Sequence, residues 1–382
     1  LAHAEGLLCA PEGDGDRRRK LEPVVTQRLL IVTAGALMVL AAGCSGGAPA
    51  RHAAEAAPHR HPVAASSDIT MAFAGDVHFA GRVARLLKDP ATTFGSISSV
   101  LKSADFTAVN LETPVTSRGR PQPKTYHFAT TPAAFTALRD AGVDLVTMAN
   151  NHILDYGQTG LADTLAAAKA AHFPYVGAGV NAAAAWAPYV TTINGTKIAI
   201  VGVSQVAELA SSWVATAHRP GEANAINLGR TLEAVRAAKR LAPIVIVFMH
   251  WGTEGVPCPD QNQLSLAPKL VAAGASIIIG AHAHTLQGSG WLGHTFVAYG
   301  MGNFLWWEKS YSTATGVLKL TVHPHAPLSA RLIPALVSRT GRPIVDKGAA
   351  ARRALAHYAS LRSCAGLSAR PPAGAITPRS AG

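Results

Sequence analysis

Five short polar clusters carry the residues able to do chemistry: Gly75-Asp76-Val77-His78, Asn110-Leu111-Glu112, Asn150-Asn151-His152, His250-Trp251-Gly252-Thr253-Glu254 and Gly280-Ala281-His282-Ala283-His284. Among the side chains they would bring together are two carboxylates, one carboxamide and five imidazoles: Asp76, Glu112, Asn151, His78, His152, His250, His282 and His284. Burying such a set without a counter-charge is costly. Mixed imidazole and carboxylate donors suit first-row divalent metals such as Mn, Fe or Zn, whereas a calcium cage is built from oxygen alone. A single D-x-H or H-x-H is weak evidence for a metal site. The weight comes from placement, because each cluster directly follows a run that reads as a strand, and in α/β sheets the carboxyl ends of strands form the ligand crevice.

The elements that must position these clusters are legible from Asp68 onward. Short β-branched runs alternate with Ala-rich amphipathic stretches, the pattern of an α/β domain. Strands are predicted at Ile69–Ala74, Phe106–Asn110, Leu145–Met148, Tyr189–Ile193, Lys197–Val203, Ile244–Met249, Ser276–Ile279, Thr295–Tyr299 and Gly316–Val322. Helices are predicted at Phe94–Lys102, Thr131–Ala141, Gly160–Ala171, Leu228–Arg240 and Gln263–Ala273. Asn194-Gly195 between two alternating runs is a two-residue hairpin signal. The mixture of crossovers and hairpins implies two sheets or one mixed sheet, and no linker interrupts residues 68–338.

The order of the clusters resembles the CapA family of poly-γ-glutamate capsule proteins, a branch of the calcineurin-like metallophosphoesterases. Thr113-Pro114, Asp155-Tyr156-Gly157 and Gly302-Asn303-Phe304 agree with it, and the likeness covers about residues 68–335. The resemblance implies a metallophosphatase-like α/β/β/α sandwich, a double β-sheet core flanked by helices. It also implies two divalent metal ions, one held by Asp76, His78 and His284 and the other by Asn151, His250 and His282, with Glu112 bridging. His152 would act beside the leaving group, oriented by Asp155. Read from the residues themselves, Glu254 either positions the loop after His250 or contacts substrate, and Asn303 either fixes its own glycine-rich turn or contacts substrate. The superfamily's usual bridging residue is Asp, so Glu112 is a departure. Two such ions would brace an in-line displacement at phosphorus.

Composition sets the outer bounds. The chain has 382 residues, 48% apolar and 15% charged, which excludes a fully disordered protein. Four cysteines cannot staple a chain of this length as a small secreted scaffold, although Cys258 and Cys364 could pair in an oxidising compartment. Of the net charge of +12, the segment from Arg339 to Gly382 contributes +7, eight Arg/Lys against Asp346 alone. This implies a basic C-terminal helix and disordered tail over 339–382. No aromatic and basic stripe of the kind that tracks single strands is visible, which argues against nucleic acid as a partner.

Residues 1–44 read as an export signal. The run Leu29–Ala42 follows Arg28 and Arg17-Arg18-Arg19-Lys20; its 14 residues are short of the roughly 20 that span a bilayer. Leu40-Ala41-Ala42-Gly43-Cys44 resembles a lipobox, with Cys44 as the lipidation site; Leu40 stands one position farther from the cysteine than usual, so plain secretion is the alternative. Residues 45–67 read as a flexible tether. The expected protein is therefore anchored by lipid on the extracytoplasmic face of the membrane, beside other capsule-synthesis membrane proteins. Its substrate is either a phosphoester or an anionic envelope polymer; in the alternative reading the same cleft binds that polymer without catalysis.

Overall fold

Ile244, Ile246 and Phe248 face one apolar cluster while Val245, Val247 and Met249 face another, the two-residue alternation of a strand buried on both sides. The same split separates Met71 and Phe73 from Ala72 and Ala74. These alternations follow from a layered core, which the computed structural model shows for residues 67–307 and 310–373. The export segment, Cys44, most of the tether and the end of the tail lie outside the described residues.

In chain order, β1 (Ile69–Val77), α1 (Ser98–Leu101), β2 (Phe106–Leu111), α2 (Ala133–Ala141), β3 (Leu145–Thr147), α3 (Gly157–Ala170) and β4 (Tyr175–Val176) form successive parallel crossovers. The minor elements β5 (Ala178–Gly179) and α4 (Ala182–Ala185) lead into β6 (Tyr189–Ile193) and β7 (Thr196–Ser204). After α5 (Ala210–Trp213) and β8 (Gly221–Glu222), the units α6 (Leu228–Leu241), β9 (Ile244–Trp251), α7 (Gln261–Ala273) and β10 (Ile277–His282) follow. The chain closes with β11 (Ser289–Leu292), β12 (Thr295–Ala298), β13 (Asn303–Leu305), β14 (Ala314–Val322), β15 (Ser329–Val337), β16 (Pro343–Val345) and α8 (Gly348–Ser360).

One sheet of eight strands runs β16-β15-β14-β1-β2-β3-β4 with β13 also on β1, and a second of six runs β11-β12-β10-β9-β7-β6. Ile69, Phe106, Ile200, Ile246 and Ile277 fill the space between them. Phe135 and Leu138 of α2 and Leu161 of α3 cover the outer face of the first sheet, and Val235 of α6 with Leu266 and Leu270 of α7 cover the second. The layers are those of the expected α/β/β/α sandwich.

Two local details tie sequence to shape. Asn194 and Gly195 take φ of 47° and 78°, closing the β6–β7 hairpin as their types require. Asp260 caps α7 through a reciprocal pair with Gln263, at 2.9 Å each way, which starts the helix two residues before the predicted position. The predicted helix Phe94–Lys102 is instead a 3-10 turn followed by the single turn of α1, because Gly95 sits at φ +60° and three serines follow it. The first sheet runs on past residue 338 into β16, and a disulfide joins Cys258 to Cys364 with Cα atoms 5.7 Å apart.

Candidate metal centre

Parallel strands β1, β2 and β3 of one sheet and β9 and β10 of the other deliver their carboxyl ends to one place. Asp76 lies on β1 where Gly75 crosses Gly302; a Cβ at Gly75 would stand 1.8 Å from the Gly302 carbonyl oxygen, so only glycine allows the approach. The Asp76 amide donates to that same oxygen at 3.0 Å. Asp76 then accepts from the side chain of Asn110 at 2.8 Å and from the His282 amide at 3.1 Å. Thus the two sheets are joined through one carboxylate.

Two overlapping sets of donors result. Glu112, His250 and His282 form one and Asp76, Glu112 and His284 the other, with the ligand atoms of each set within 4.8 Å of one another and all of them buried. Glu112 belongs to both. Its Oε1 lies 3.6 Å from His250 Nε2 and 3.9 Å from His152 Nε2. Asn151 Oδ1 stands 2.8 Å from His250 Nε2, so it too reaches the first set. His282 and His284 hold positive φ of 86° and 53°, a conformation costly for side chains other than glycine and found where a site over-determines the backbone.

A divalent metal fits these residues. Glu112 Oε1 and His282 Nδ1 are buried polar atoms with no hydrogen-bond partner, a state that normally signals an ion or ordered water. The electrostatics agree. Burial, then the nearby Asp76 charge, pushes the Glu112 carboxyl well above its usual range. Burial and neighbouring imidazoles hold His250 well below its ordinary value and His282 at about 3. Both are therefore neutral at physiological pH, the state in which an imidazole can ligate a metal. Burial alone would lower His284 as well, but contact with Asp76 and the charge of Glu254 outweigh it and raise that imidazole.

His78 is not brought into either set. Its ring stacks on Phe128 at 4.5 Å, and both nitrogens face backbone amides, Ala80 N at 3.0 Å and Trp307 N at 3.2 Å. A neutral imidazole has one lone pair to offer, and here it is already engaged. Asn303 likewise stands behind the site: its Oδ1 receives His284 Nδ1 at 2.8 Å, and its amide reaches Ser310. Glu254 lies at the rim of a cavity of about 180 Å³, with Oε2 accepting from the Tyr311 hydroxyl at 2.8 Å. Trp251 is core, donating to the Tyr299 carbonyl, whereas Trp306 and Trp307 line the cavity.

His152 and Asp155 meet as the sequence suggests. His152 Nδ1 lies 2.7 Å from Asp155 Oδ2, which leaves Nε2 toward the site. Burial and the charge of Lys124 keep His152 well below its usual value, while burial lifts Asp155 to about 6 against the pull of Lys124. Sequence reasoning did not place Lys124 in the site. Its buried ammonium sits 3.1 Å from Asp155 and 3.0 Å from Glu208 and donates to the Asn151 carbonyl. It also missed the role of Asn110, whose amide touches Asp76, Glu112 and His250. The one available signal was that Asn110 and Asn150 stand in two of the five clusters.

Fold and site together define a double-sheet α/β protein with a buried acid and imidazole cluster at its strand ends. Residues 70–306 match the family described as bacterial capsule synthesis protein PGA_cap, and the chain belongs to that family. It is similar to the capsule biosynthesis protein CapA of Bacillus anthracis, 30% identical over 258 residues covering 64% of this chain. The match spans 62% of the length of that relative. It is equally similar to the PGA biosynthesis protein CapA of Bacillus subtilis (strain 168), at 30% identity over 65% of this chain and 67% of the relative. Among solved structures, a phosphatase from Mycoplasma pneumoniae aligns at 15% identity and TM-score 0.45, over 76% of this chain and 97% of its own.

Proposed function

We propose that the chain is a metal-dependent phosphoester hydrolase serving capsule or poly-γ-glutamate synthesis at the cell envelope. The observation that carries this reading is the pair of overlapping donor sets around Glu112, with Glu112 Oε1 and His282 Nδ1 left without partners. Asp76, Glu112, His250, His282 and His284 would hold two divalent ions, with Asn151 beside His250 and without His78. When bound, ions of the Mn, Fe or Zn type supply Lewis-acid charge to a phosphoryl oxygen.

The chain's own groups do the rest. Asp155 accepts from Nδ1 of His152 and fixes its ring, so Nε2 is the atom that exchanges a proton. In the free protein that nitrogen is unprotonated; the anionic charge of an arriving phosphoester favours its protonated form, which donates to the leaving oxygen. Lys124 holds Asp155 and the Asn151 backbone in register. The buried aromatic ring of Phe128, stacked on His152 at 4.2 Å, keeps water from that side of the imidazole.

The placement at the envelope is part of the proposal. The Cys258–Cys364 disulfide supports an oxidising compartment. Among the described residues no helix is long and apolar enough to cross a membrane. In this reading a lipid on Cys44 is the anchor. Release of p-nitrophenol from phosphomono- and diesters by the purified chain tests the activity. Turnover with Mn that is lost on chelation and in His250→Ala supports the reading. Binding of poly-γ-glutamate by metal-loaded protein with no turnover overturns it in favour of a polymer-handling role.

A further inference from the structure

The turn that carries two of the donor imidazoles is supported by a loop, and that loop is tied down by the disulfide. His282 and His284 hold φ of 86° and 53°, so the backbone of residues 280–284 keeps its shape only while its surroundings enforce it. The carbonyl of Ala283, between the two histidines, accepts the Gly255 amide at 2.8 Å. Gly255 belongs to the segment that joins β9 to α7. In the same segment Glu254 Oε1 lies 4.0 Å from His284 Nε2. Thr253, Glu254, Val256 and Pro257 are exposed, so little packing holds this stretch in place.

Both ends of the bridge are firmly seated. Pro257 and Pro259 flank Cys258, and their fixed φ angles leave little slack between its sulfur and Gly255. Buried Gln287 donates to the carbonyls of Val256 and Cys258 at 2.9 and 3.3 Å. On the other side, Arg362 Nε donates to the Ser289 carbonyl at 2.7 Å, and Trp291 and Ser368 exchange backbone bonds at 2.8 and 2.9 Å. Ala365 and Leu367 are buried in the same apolar cluster as Leu266 and Leu270 of α7. Cys364 therefore rides on a segment fixed to β11, and the bridge fastens an exposed loop to the body of the second sheet.

We propose that the Cys258–Cys364 bridge is a redox-sensitive strap that sets metal affinity through the folded state. Closed, it holds the Gly255 amide on Ala283 and keeps His282 and His284 in their costly conformation; opened, it lets the loop draw away and the turn relax. Opening takes a dithiol, which leaves as its own disulfide while two cysteine thiols remain on the chain. Cys364 is exposed and Cys258 half-buried, so a small dithiol reaches the bond. The inference rests on the metal-centre reading and adds its regulation. A bridge that acted only by restricting the unfolded chain would change stability and leave the folded protein's affinity for metal as it was, so the two roles separate.

Equilibrium dialysis of the full chain against Mn compares wild type, Cys258→Ser and Cys364→Ser at a temperature where circular dichroism shows all three folded. Mn is the probe because thiols prefer softer ions. Both variants are expected to bind Mn about tenfold more weakly, and dithiothreitol to bring the wild type to their level without affecting them. By reciprocity, saturating Mn is expected to raise by the same factor the ratio of dithiothreitol to its disulfide that opens half the bridges, read by thiol alkylation and mass spectrometry. Hydrogen exchange of the metal-free chain adds a readout that needs no ion: the amides of residues 253–257 and 281–285 are expected to exchange faster in both variants. Equal Mn affinity with and without the bridge, or unchanged exchange over those residues, overturns the strap. Wild type that takes up no Mn while exchange still responds to the bridge overturns the metal-centre reading and leaves the strap's hold on the turn standing.

Discussion

Lys124→Met keeps the stem of a side chain that is 2% exposed and deletes the ammonium on which Asp155, Glu208 and the Asn151 carbonyl converge. Removing one partner of a buried ion pair costs about 3–5 kcal/mol, because the other charge is stranded. Two features reduce the cost here. Asp155, already lifted to about 6, can take up a proton, and the Glu208 side chain is 40% exposed and keeps its water. The expected loss is therefore about 3 kcal/mol, the low end of that range. At about 2–4 °C per kcal/mol for a domain of this size, the melting temperature falls by about 6–12 °C. Urea unfolding at pH 7 of the wild type, Lys124→Met, Asp155→Asn and the double variant measures the coupling directly. Because the neutral amide introduced by Asp155→Asn strands no charge, the double variant should be less destabilised than the sum of the singles, by about 1–3 kcal/mol. A loss under about 1 kcal/mol, or strict additivity, refutes the view that this ammonium organises the His152 side of the site.

Three further outcomes follow from the same structure. Burial carries the Glu222 carboxyl to about 8 despite its bond from Asn224 at 2.8 Å. A carboxyl raised in the fold binds more protons there than in the unfolded chain, so its contribution is complete below about pH 4.3 and fades as pH rises through about 8. Thermal melts from pH 5 to 9 should therefore fall more steeply for wild type than for Glu222→Gln, which gains about 4 kcal/mol on it over that range; parallel curves would contradict this. Gly75→Ala drives a methyl into the Gly302 carbonyl and should cost about 3 kcal/mol or more by denaturant titration, with metal uptake lost alongside. Cys364→Ser opens a bridge between residues 106 apart and should cost about 4–5 kcal/mol; reductant should bring the wild type down to the same midpoint and leave the variant unchanged.

What the sequence made legible was governed by local physics. The two-residue period of Ile244–Met249 and Lys197–Val203 marks strands buried on both faces, and β9 and β7 lie there, each two residues longer. The Asn194-Gly195 turn needed only backbone sterics. Strands set by partners elsewhere in the chain were not visible. β13 is Asn303 and Phe304 of the Gly-Asn-Phe motif with Leu305 after them, which become a strand by lying parallel to β1, with Asn303 opposite Asp76. β15 contains Pro334, which a single-strand reading demotes, yet it pairs with β14 over eight positions. The donor sets show the same limit. Strand ends could be listed in one dimension, so Asp76, Glu112, His250, His282 and His284 were reachable. The rotation of His78 toward the amides of Ala80 and Trp307 depends on the segment around residue 306, which arrives from 229 residues away. Lys124 follows Pro121-Gln122-Pro123 in what reads as a surface loop, and only the packed fold reveals that its charge is internal.

The central claim is that the buried acids and imidazoles form one metal centre shared through Glu112. Elemental analysis of the purified full chain, beside Glu112→Gln, tests it most directly. Two donor sets predict about two transition-metal equivalents in the wild type and loss of both when the shared carboxylate becomes an amide. Wild-type protein that stays metal-free after loading with Mn, Fe or Zn, or a Glu112→Gln chain that retains both equivalents, would contradict the account.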